Sequence, residues 1–507
     1  MRKALLALTA STLLSAQTTL IRHATVIDGT GGPPYVADLR ISGETITEIA
    51  PGLAAGTRED VVDATGLVLA PGFIDMHSHV DGAILERPAA EVMIRQGITT
   101  SLVGQDGESQ FPLEQFFRKV ETTRVALNIA SMAGQGTVRE QVMGSGEKLL
   151  RASTADELAR MKKVLAEEMK AGAFGMSTGL EYDPAHFSTT DEVIELSKVA
   201  WQYGGFYISH VRDEGNHVFD SFDEITAIGK GAHIPVEITH IKLGTTPVWH
   251  MAAAQMPQVF VRAGADGVDL KADVYPYTYW HSGIRVIMLD RAYFNPDRVA
   301  KAIAENGGAD HIHFVHYEPD SRANGKTLQQ IAEIWGSSPV EAFMRIVKAT
   351  MPDASGKSAA EDVIVESMSE DDLQWFLANP KVMFCTDGGL TMHHPRSAGT
   401  FPRILGRYVR ERRVLTLREA VRKATSMPAA QLGLKDRGRI AVGYFADLVL
   451  FDAAKVSDRA TIENWDAEPS GIPDVMVNGR WVLRDGRVSA ERPGKVLRHV
   501  VGPTTGG

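Results

Sequence analysis

Cysteine is nearly missing from this chain. One residue in 507, Cys385, excludes any intrachain disulfide. Long apolar runs are scarce as well, and beyond the first 17 residues no segment is apolar enough to read as a membrane-spanning helix. Dense basic runs are absent. Fifty-three Lys and Arg stand against 63 Asp and Glu, a net charge of −10. Such a surface repels polyphosphate, which excludes nucleic acid as a partner class. No internal repeat or low-complexity tract occurs. What remains is 44% hydrophobic and 23% charged, an ordinary globular composition, long enough for one large core or two to three modest ones.

The first residues, "MRKALLALTASTLLSAQ", have a basic start (Arg2, Lys3) and an apolar stretch through Ala16. This reads as a signal peptide over 1–17, too short to act as a stable bilayer anchor. It predicts a periplasmic or secreted protein. Leu14 stands where a small residue is preferred before the cleavage point, and an uncleaved leader would leave the protein cytoplasmic.

The two ends of the remaining chain read alike. "TTLIRHATVIDGTG" and "ADLRISGETITEIAPG" at one end, and "GYFADLVLFD" and "DVMVNGRWVLRDGRV" at the other, alternate apolar residues between Gly-rich, Asn-Gly and Asp-Gly turns. They predict a small β-sandwich domain built from 18–71 and 432–507. Between them, short apolar segments alternate with amphipathic helical text. The strand candidates are "LVLAPGFIDMHSH", "GITTSLVGQDG", "VALNIASMAG", "GAFGMSTG", "FYISHVRDEG", "VEITHIKLG", "VDLKADVYPY" and "KVMFCTDGG". Capping-box patterns Thr154-x-x-Glu157, Thr189-x-x-Glu192 and Thr416-x-x-Glu419 mark helix starts. Strand alternating with helix argues for parallel βαβ units, and eight candidates predict an α/β fold, a (β/α)8 TIM-type barrel over 72–431. Roughly a hundred residues separate the last two strand candidates, too many for an ordinary connection. They predict an inserted subdomain or lid at about 281–378.

Chemistry gathers at the ends of these segments, where barrel enzymes place their sites. The first carries His77 and His79, the second Asp106, the fifth His210, the sixth His240 and the eighth Asp387. Positions i and i+2 of a strand share a face, so both imidazoles of the His77-Ser78-His79 triplet can point into the barrel mouth. Imidazole and carboxylate are ligands for Zn²⁺ and similar ions, so His77, His79, Asp106, His210 and His240 are candidate ligands for one or two zinc ions. A second His-x-His, His311 and His313 followed by His316, lacks partner ligands at neighbouring strand ends and reads as structural. His393 and His394 sit in a loop near Asp387 and are candidates for touching substrate. Cys385 lacks an adjacent activating base and reads as packing.

Taken in order, "PGFIDMHSHVD", "GQDGES", "STGLEYDP", "SHVRDEG", "ITHIK", "DVYPYT", "TDGG…HPRSAGTFPRILG" and "ADLVLFD" resemble the amidohydrolase superfamily. More narrowly they resemble its N-acyl-D-amino-acid deacylase (D-aminoacylase) branch, over nearly the whole chain after the leader. The resemblance implies a metal-centred barrel flanked by a β-sandwich. It implies that His210 and His240, with a second-strand ligand, hold the tighter metal, and that Lys242 and Tyr275 lie on the side of the substrate carboxylate. The branch usually has cysteine at the second-strand position. Asp106 stands there, as a bridging or terminal ligand, with Glu108 competing for the role. Related cyclic-amide hydrolases use a fourth-strand lysine that "GAFGMSTGLEY" lacks.

A bound metal acidifies water and polarises a carbonyl, and Asp387 is positioned to shuttle the proton to the leaving amine. Arg396 is the candidate clamp for a substrate carboxylate. Arg212, Asp213 and Glu214 read either as support for the metal ligands and substrate or as a rim salt bridge. The expected activity is hydrolysis of N-acyl-amino acids, of the D series by resemblance. The alternatives are a secreted dipeptidase or other linear-amide hydrolase, or an inactive barrel acting as a binding protein. The expected partner is a small N-acyl amino acid or dipeptide-like molecule.

Overall fold

The computed structural model describes residues 18–352 and 358–500, so the signal peptide expected over 1–17 lies outside the described residues. Both ends of the chain meet in one nine-stranded sheet. Its order runs Arg487–Val488, Arg480–Arg484, Asp474–Val477, Leu448–Phe451, Val68–Pro71, Thr18–Val26, Tyr35–Ser42 and Thr45–Ala50, with Asp60–Asp63 paired to Thr18–Val26. The ends join where Leu448–Phe451 runs antiparallel to Val68–Pro71. Alternating residues of both ends, among them Ile21, Leu39, Leu69, Leu448, Leu450 and Met476, make a core of their own.

The run 67–79, read above as a single strand, is two. Val68–Pro71 belongs to the end sheet and Phe73–Asp75 to a parallel sheet. The break is Gly72, where a β-carbon would lie 2.2 Å from Thr99 Cγ2. No side chain fits that approach, and the chain passes there from one sheet to the next.

Parallel strands form two arcs. One holds Phe73–Asp75, Ile98–Val103 and Asn128–Ser131; the other runs Ala133–Gly134, Gly175–Gly179, Phe206–His210, Val236–Ile238, Leu270–Val274 and Val382–Phe384. Met132 alone separates Asn128–Ser131 from Ala133–Gly134. At the other side, Asp387 N donates to His77 O at 2.9 Å and His79 N to Gly388 O at 2.8 Å. Helices such as Ala155–Ala171, Thr190–Gln202 and Val218–Ala232 bury one face against these strands. Of the three capping boxes read from sequence, Thr154–Glu157 is reciprocal. Thr189 and Thr416 cap their helices, but Glu192 turns to Arg139 and Glu419 to Arg422, because a guanidinium is the stronger partner.

Between Leu270–Val274 and Val382–Phe384 lies a separate antiparallel sheet, ordered Trp280–Ser282, Glu361–Val365, Ile312–Tyr317 and Lys326–Thr327. Helices Pro296–Glu305, Leu328–Trp335 and Pro339–Thr350 pack with it around Ile284, Phe314, Phe343 and Val347. His313 sits in this sheet opposite Thr327 and Ile364. Among the described residues, neither it nor His311 or His316 joins a group able to hold a metal.

Candidate metal centre

Each candidate ligand is carried just past, or at, a parallel strand end. His210 is the last residue of Phe206–His210. The others lie on the turns that follow their strands, and three of these have left-handed backbone: Asp106 at φ 53°, His240 at φ 35° and Asp387 at φ 48°. Such conformations cost of order 1–3 kcal/mol each and persist where surrounding bonds enforce them. His240 N donates to Asp273 Oδ1 at 2.6 Å. Thr386 donates to Asp75 from both its backbone N (2.7 Å) and its hydroxyl (2.6 Å), which sets Asp387 beside His77.

These turns bring distant side chains to one place. His77, His79, Asp106 and Asp387 form one group able to hold a metal, Asp106, His210 and His240 a second, and Glu181, His210 and Glu214 a third that shares His210 with the second. In the first, His77 Nε2 and His79 Nε2 are 3.2 Å apart. Asp106 Oδ2 lies 3.4 Å from each, and Asp387 Oδ1 3.5 and 3.3 Å. In the second, His210 Nδ1 is 3.1 Å from His240 Nε2, and Asp106 Oδ1 is 3.5 Å from it. A tetrahedron with metal–ligand bonds of about 2.05 Å has edges of about 3.3 Å, so both sets have the spacing of donors around a small divalent ion. Asp106 Oδ1 is buried and has no hydrogen-bond partner within the protein. The donor set fits zinc, with Asp106 turning one oxygen to each group. Glu108, its competitor, is exposed and belongs to neither group.

Electrostatics match that assignment. Burial works to raise Asp106, but the charge of His77 and hydrogen bonds from His240, His77 and His79 hold it well below the usual carboxylate range. Burial likewise works against Asp387, and Arg396, His240 and His77 pull it far down. Burial and Lys242 would lower His240, yet Glu214, Asp387 and Asp106 raise it to about 10. The carboxylates are held ionised and demand positive charge at this spot.

A further carboxylate enters from sequence not singled out above. Glu181, in "STGLEYDP", pairs its Oε2 with His210 Nε2, which leaves Nδ1 facing the second group. Glu214 accepts from Lys242 Nζ with both oxygens at 2.7 Å and lies 3.1 Å from His240 Nδ1. Of its neighbours, Asp213 lines the cavity over the histidines and Arg212 does not. Arg212 binds Glu224 at 2.9 Å, and Asp213 Oδ1 accepts from Gly215 N at 2.7 Å.

Arg396 is 2% exposed and its Nη1 lies 2.7 Å from Asp387 Oδ2. Its guanidinium stands 4.7 Å over the Tyr275 ring, with Lys242 Nζ 5.8 Å from the same ring. Lys242 and Arg396 both line a cavity of about 360 Å³ that opens over the histidines. Tyr275 is buried behind them, its hydroxyl without a partner. His393 and His394, candidates for touching substrate, do not line this cavity. His394 is fully buried, its Nδ1 accepting from Arg396 N at 3.0 Å and its Nε2 3.1 Å from Tyr279 O. His393 lies against the Trp465 ring, 5.1 Å between centroids. Cys385 is buried against Tyr275 and Tyr277, and burial raises its thiol.

Residues 60–483 match the amidohydrolase family. The chain belongs to that family. As an amidohydrolase it is 35% identical to an N-acyl-D-glutamate deacylase of Alcaligenes xylosoxydans xylosoxydans, over 94% of this chain and 96% of the relative. It is 34% identical to a D-aminoacylase of the same organism, over 94% and 97%. Among solved structures it resembles the N-acyl-D-glutamate deacylase of Bordetella bronchiseptica complexed with zinc and a phosphonate mimic of the tetrahedral intermediate. That match has a TM-score of 0.84 at 31% identity and covers 96% of this chain and 100% of the other.

Proposed function

We propose that this amidohydrolase is a zinc-dependent deacylase that hydrolyses N-acyl-D-amino acids, releasing a carboxylate and the free D-amino acid. The observation that carries the reading is the pair of ligand groups sharing Asp106, with Asp387 a member of the first and Arg396 behind it. His77, His79 and Asp106 would hold one ion, and Asp106, His210 and His240 the other. When bound, the metal supplies Lewis acidity and a water acidified to a pKa of about 7. Asp387, kept ionised by Arg396, accepts the proton of the attacking water and delivers it to the amide nitrogen as the C–N bond breaks. Arg396 and Lys242 orient the substrate carboxylate from the cavity wall, with Tyr275 packing behind both cations. Each cation is held by a carboxylate of its own, Asp387 or Glu214, which fixes its position before substrate arrives. The D configuration is supported by the names of the relatives.

The same proposal extends to architecture. The two arcs make one closed (β/α)8 barrel, supported by the bonds at Asp387–His77 and His79–Gly388. The end sheet is a β-sandwich domain from 18–71 and 432–507, and 281–378 is an insertion over the barrel mouth. Export follows from the leader.

The test is zinc-loaded protein assayed against paired N-acetyl-D- and N-acetyl-L-amino acids. Hydrolysis of the D series is expected. Turnover of the L series alone would overturn the stereochemical assignment, and no turnover of either, with zinc bound, would overturn deacylation.

A further inference from the structure

On the strand that leads to His240 lies a buried acid with no part in the proposed hydrolysis. Glu237 is the middle residue of Val236–Ile238. Val236 and Ile238 join the large core shared with the flanking helices, so Glu237 points to the opposite face of the sheet. Strand register sets it beside Ile208 on one side and Lys271 on the other, and Asp273, two residues past Lys271, shares that face with Met383. Ile208 and Met383 belong to a second, apolar core with Met76, Leu102, Phe174 and Phe206. Two carboxyl groups, Glu237 and Asp273, stand in that layer, both 0% exposed.

Neither oxygen of Glu237 has a hydrogen-bond partner, and Asp273 Oδ2 has none either. Asp273 Oδ1 accepts from His240 N at 2.6 Å. Lys271, the cation in register with Glu237, is turned to Asp269 Oδ2 at 2.5 Å. Gln431 Nε2, also without a partner, faces Glu237 from the helix Ser426–Gln431. Two adjacent buried carboxyl groups with no cation on them cannot both be charged. One proton between them resolves this. Asp273 already accepts from His240 N and keeps the charge, while Glu237 carries the proton. Burial and the charge of Asp273 push the Glu237 carboxyl well above the usual carboxylate range, against the opposing pull of Lys271.

We propose that Glu237 is a positioning residue of the metal centre: it donates a hydrogen bond to Asp273 Oδ2, and Asp273 holds the turn that aims His240 into the second ligand group. The inference rests on the reading of that group as a zinc site. His240 has left-handed backbone, φ 35°, which persists only where surrounding bonds enforce it. Asp273 supplies two such bonds, from His240 N to Oδ1 and from Ile241 N to its carbonyl at 2.8 Å. A carboxylate gripped at one oxygen turns easily about its last torsion, and a donor on the other oxygen fixes it. An apolar residue at 237 would suit the surrounding layer and avoid burying an acid. It would also leave Asp273 Oδ2 a buried charge without a donor.

Infrared difference spectra of the parent and Glu237→Gln test the proton. A band of protonated carboxylic acid, present in the parent and missing from the variant, is expected with and without zinc. Its absence from the parent would overturn the hydrogen bond. Zinc affinity, measured by competition with a chelator, tests the positioning. The glutamine amide is a donor of the same shape, so Glu237→Gln is expected to bind zinc as the parent does, and Glu237→Leu about 10–100-fold more weakly. Glu237→Met carries the same expectation as the leucine and replaces it where the leucine does not fold. Parental affinity in the apolar variant, or an equal loss in the glutamine variant, would overturn the positioning role. Both measurements are made without substrate, so their failure leaves deacylation standing. A parent that binds no zinc would remove this inference and the zinc site together.

Discussion

Asp387 owes its role to what touches it. Arg396 at 2.7 Å and the histidines at 3.3–3.5 Å keep its carboxylate ionised despite burial, the form in which a carboxylate can act as a proton acceptor. Asp387→Asn removes that proton acceptor while keeping the shape. It is expected to lower kcat about a thousandfold, with zinc retained at the second group, which Asp387 does not enter. Near-normal kcat would exclude it as the proton carrier. Asp106 is different, because both groups include it. Asp106→Asn is expected to cut zinc content at both, read by elemental analysis of the purified protein. Full zinc occupancy in that variant would leave the histidines as sufficient ligands.

Two carboxylates act through the elements that carry them. Glu181 follows the strand Gly175–Gly179 and reaches across to His210 Nε2 on the neighbouring strand. A carboxylate in that position fixes the tautomer and the ring, so Glu181→Gln is expected to weaken zinc affinity about 10–100-fold, measured by competition with a chelating dye. Unchanged affinity would make the contact incidental. In the insertion, burial raises Glu361 to about 7, against the lowering effect of Ile284 N–H. A carboxyl raised on folding contributes stability that is complete below its unfolded pKa, near 4.5, and is lost as pH rises through about 7. Thermal stability is therefore expected to fall between pH 5 and 8. Glu361→Gln, which keeps the acceptor for Ile284 N–H, should flatten that fall by on the order of 1–2 kcal/mol. A variant with the same pH slope as the parent would remove Glu361 from the account.

At the scale of the whole molecule, the centre is assembled from strand ends far apart in sequence, so metal binding and folding are linked. An ion that binds the folded chain at 100 times its Kd stabilises it by roughly 2.7 kcal/mol. Zinc removal also leaves the buried carboxylates of Asp106 and Asp387 at one site without the cation. Chelation is expected to lower the thermal midpoint by a few degrees, and zinc, but not magnesium, to restore it. A midpoint indifferent to chelation would count against resident metal.

Much of this was legible in the linear text, for identifiable reasons. Histidine and carboxylate at the close of apolar segments are a local signal, so His77, His79, Asp106, His210, His240 and Asp387 stand out together in the linear sequence. Turn chemistry, likewise local, marked the β-rich ends. What stayed hidden depends on approach between distant parts. Gly72 looks like any turn glycine until Thr99 is set beside it. Glu181 reads as a loop acid until parallel pairing brings it to His210. His394 resembled a substrate contact until Tyr279 O and Arg396 N claimed both nitrogens. By itself the sequence determined which donor atoms exist and on which segments they ride. The tertiary structure decided that Asp106 belongs to two groups at once. Distances between remote residues are set by packing, and packing has no signature in local composition.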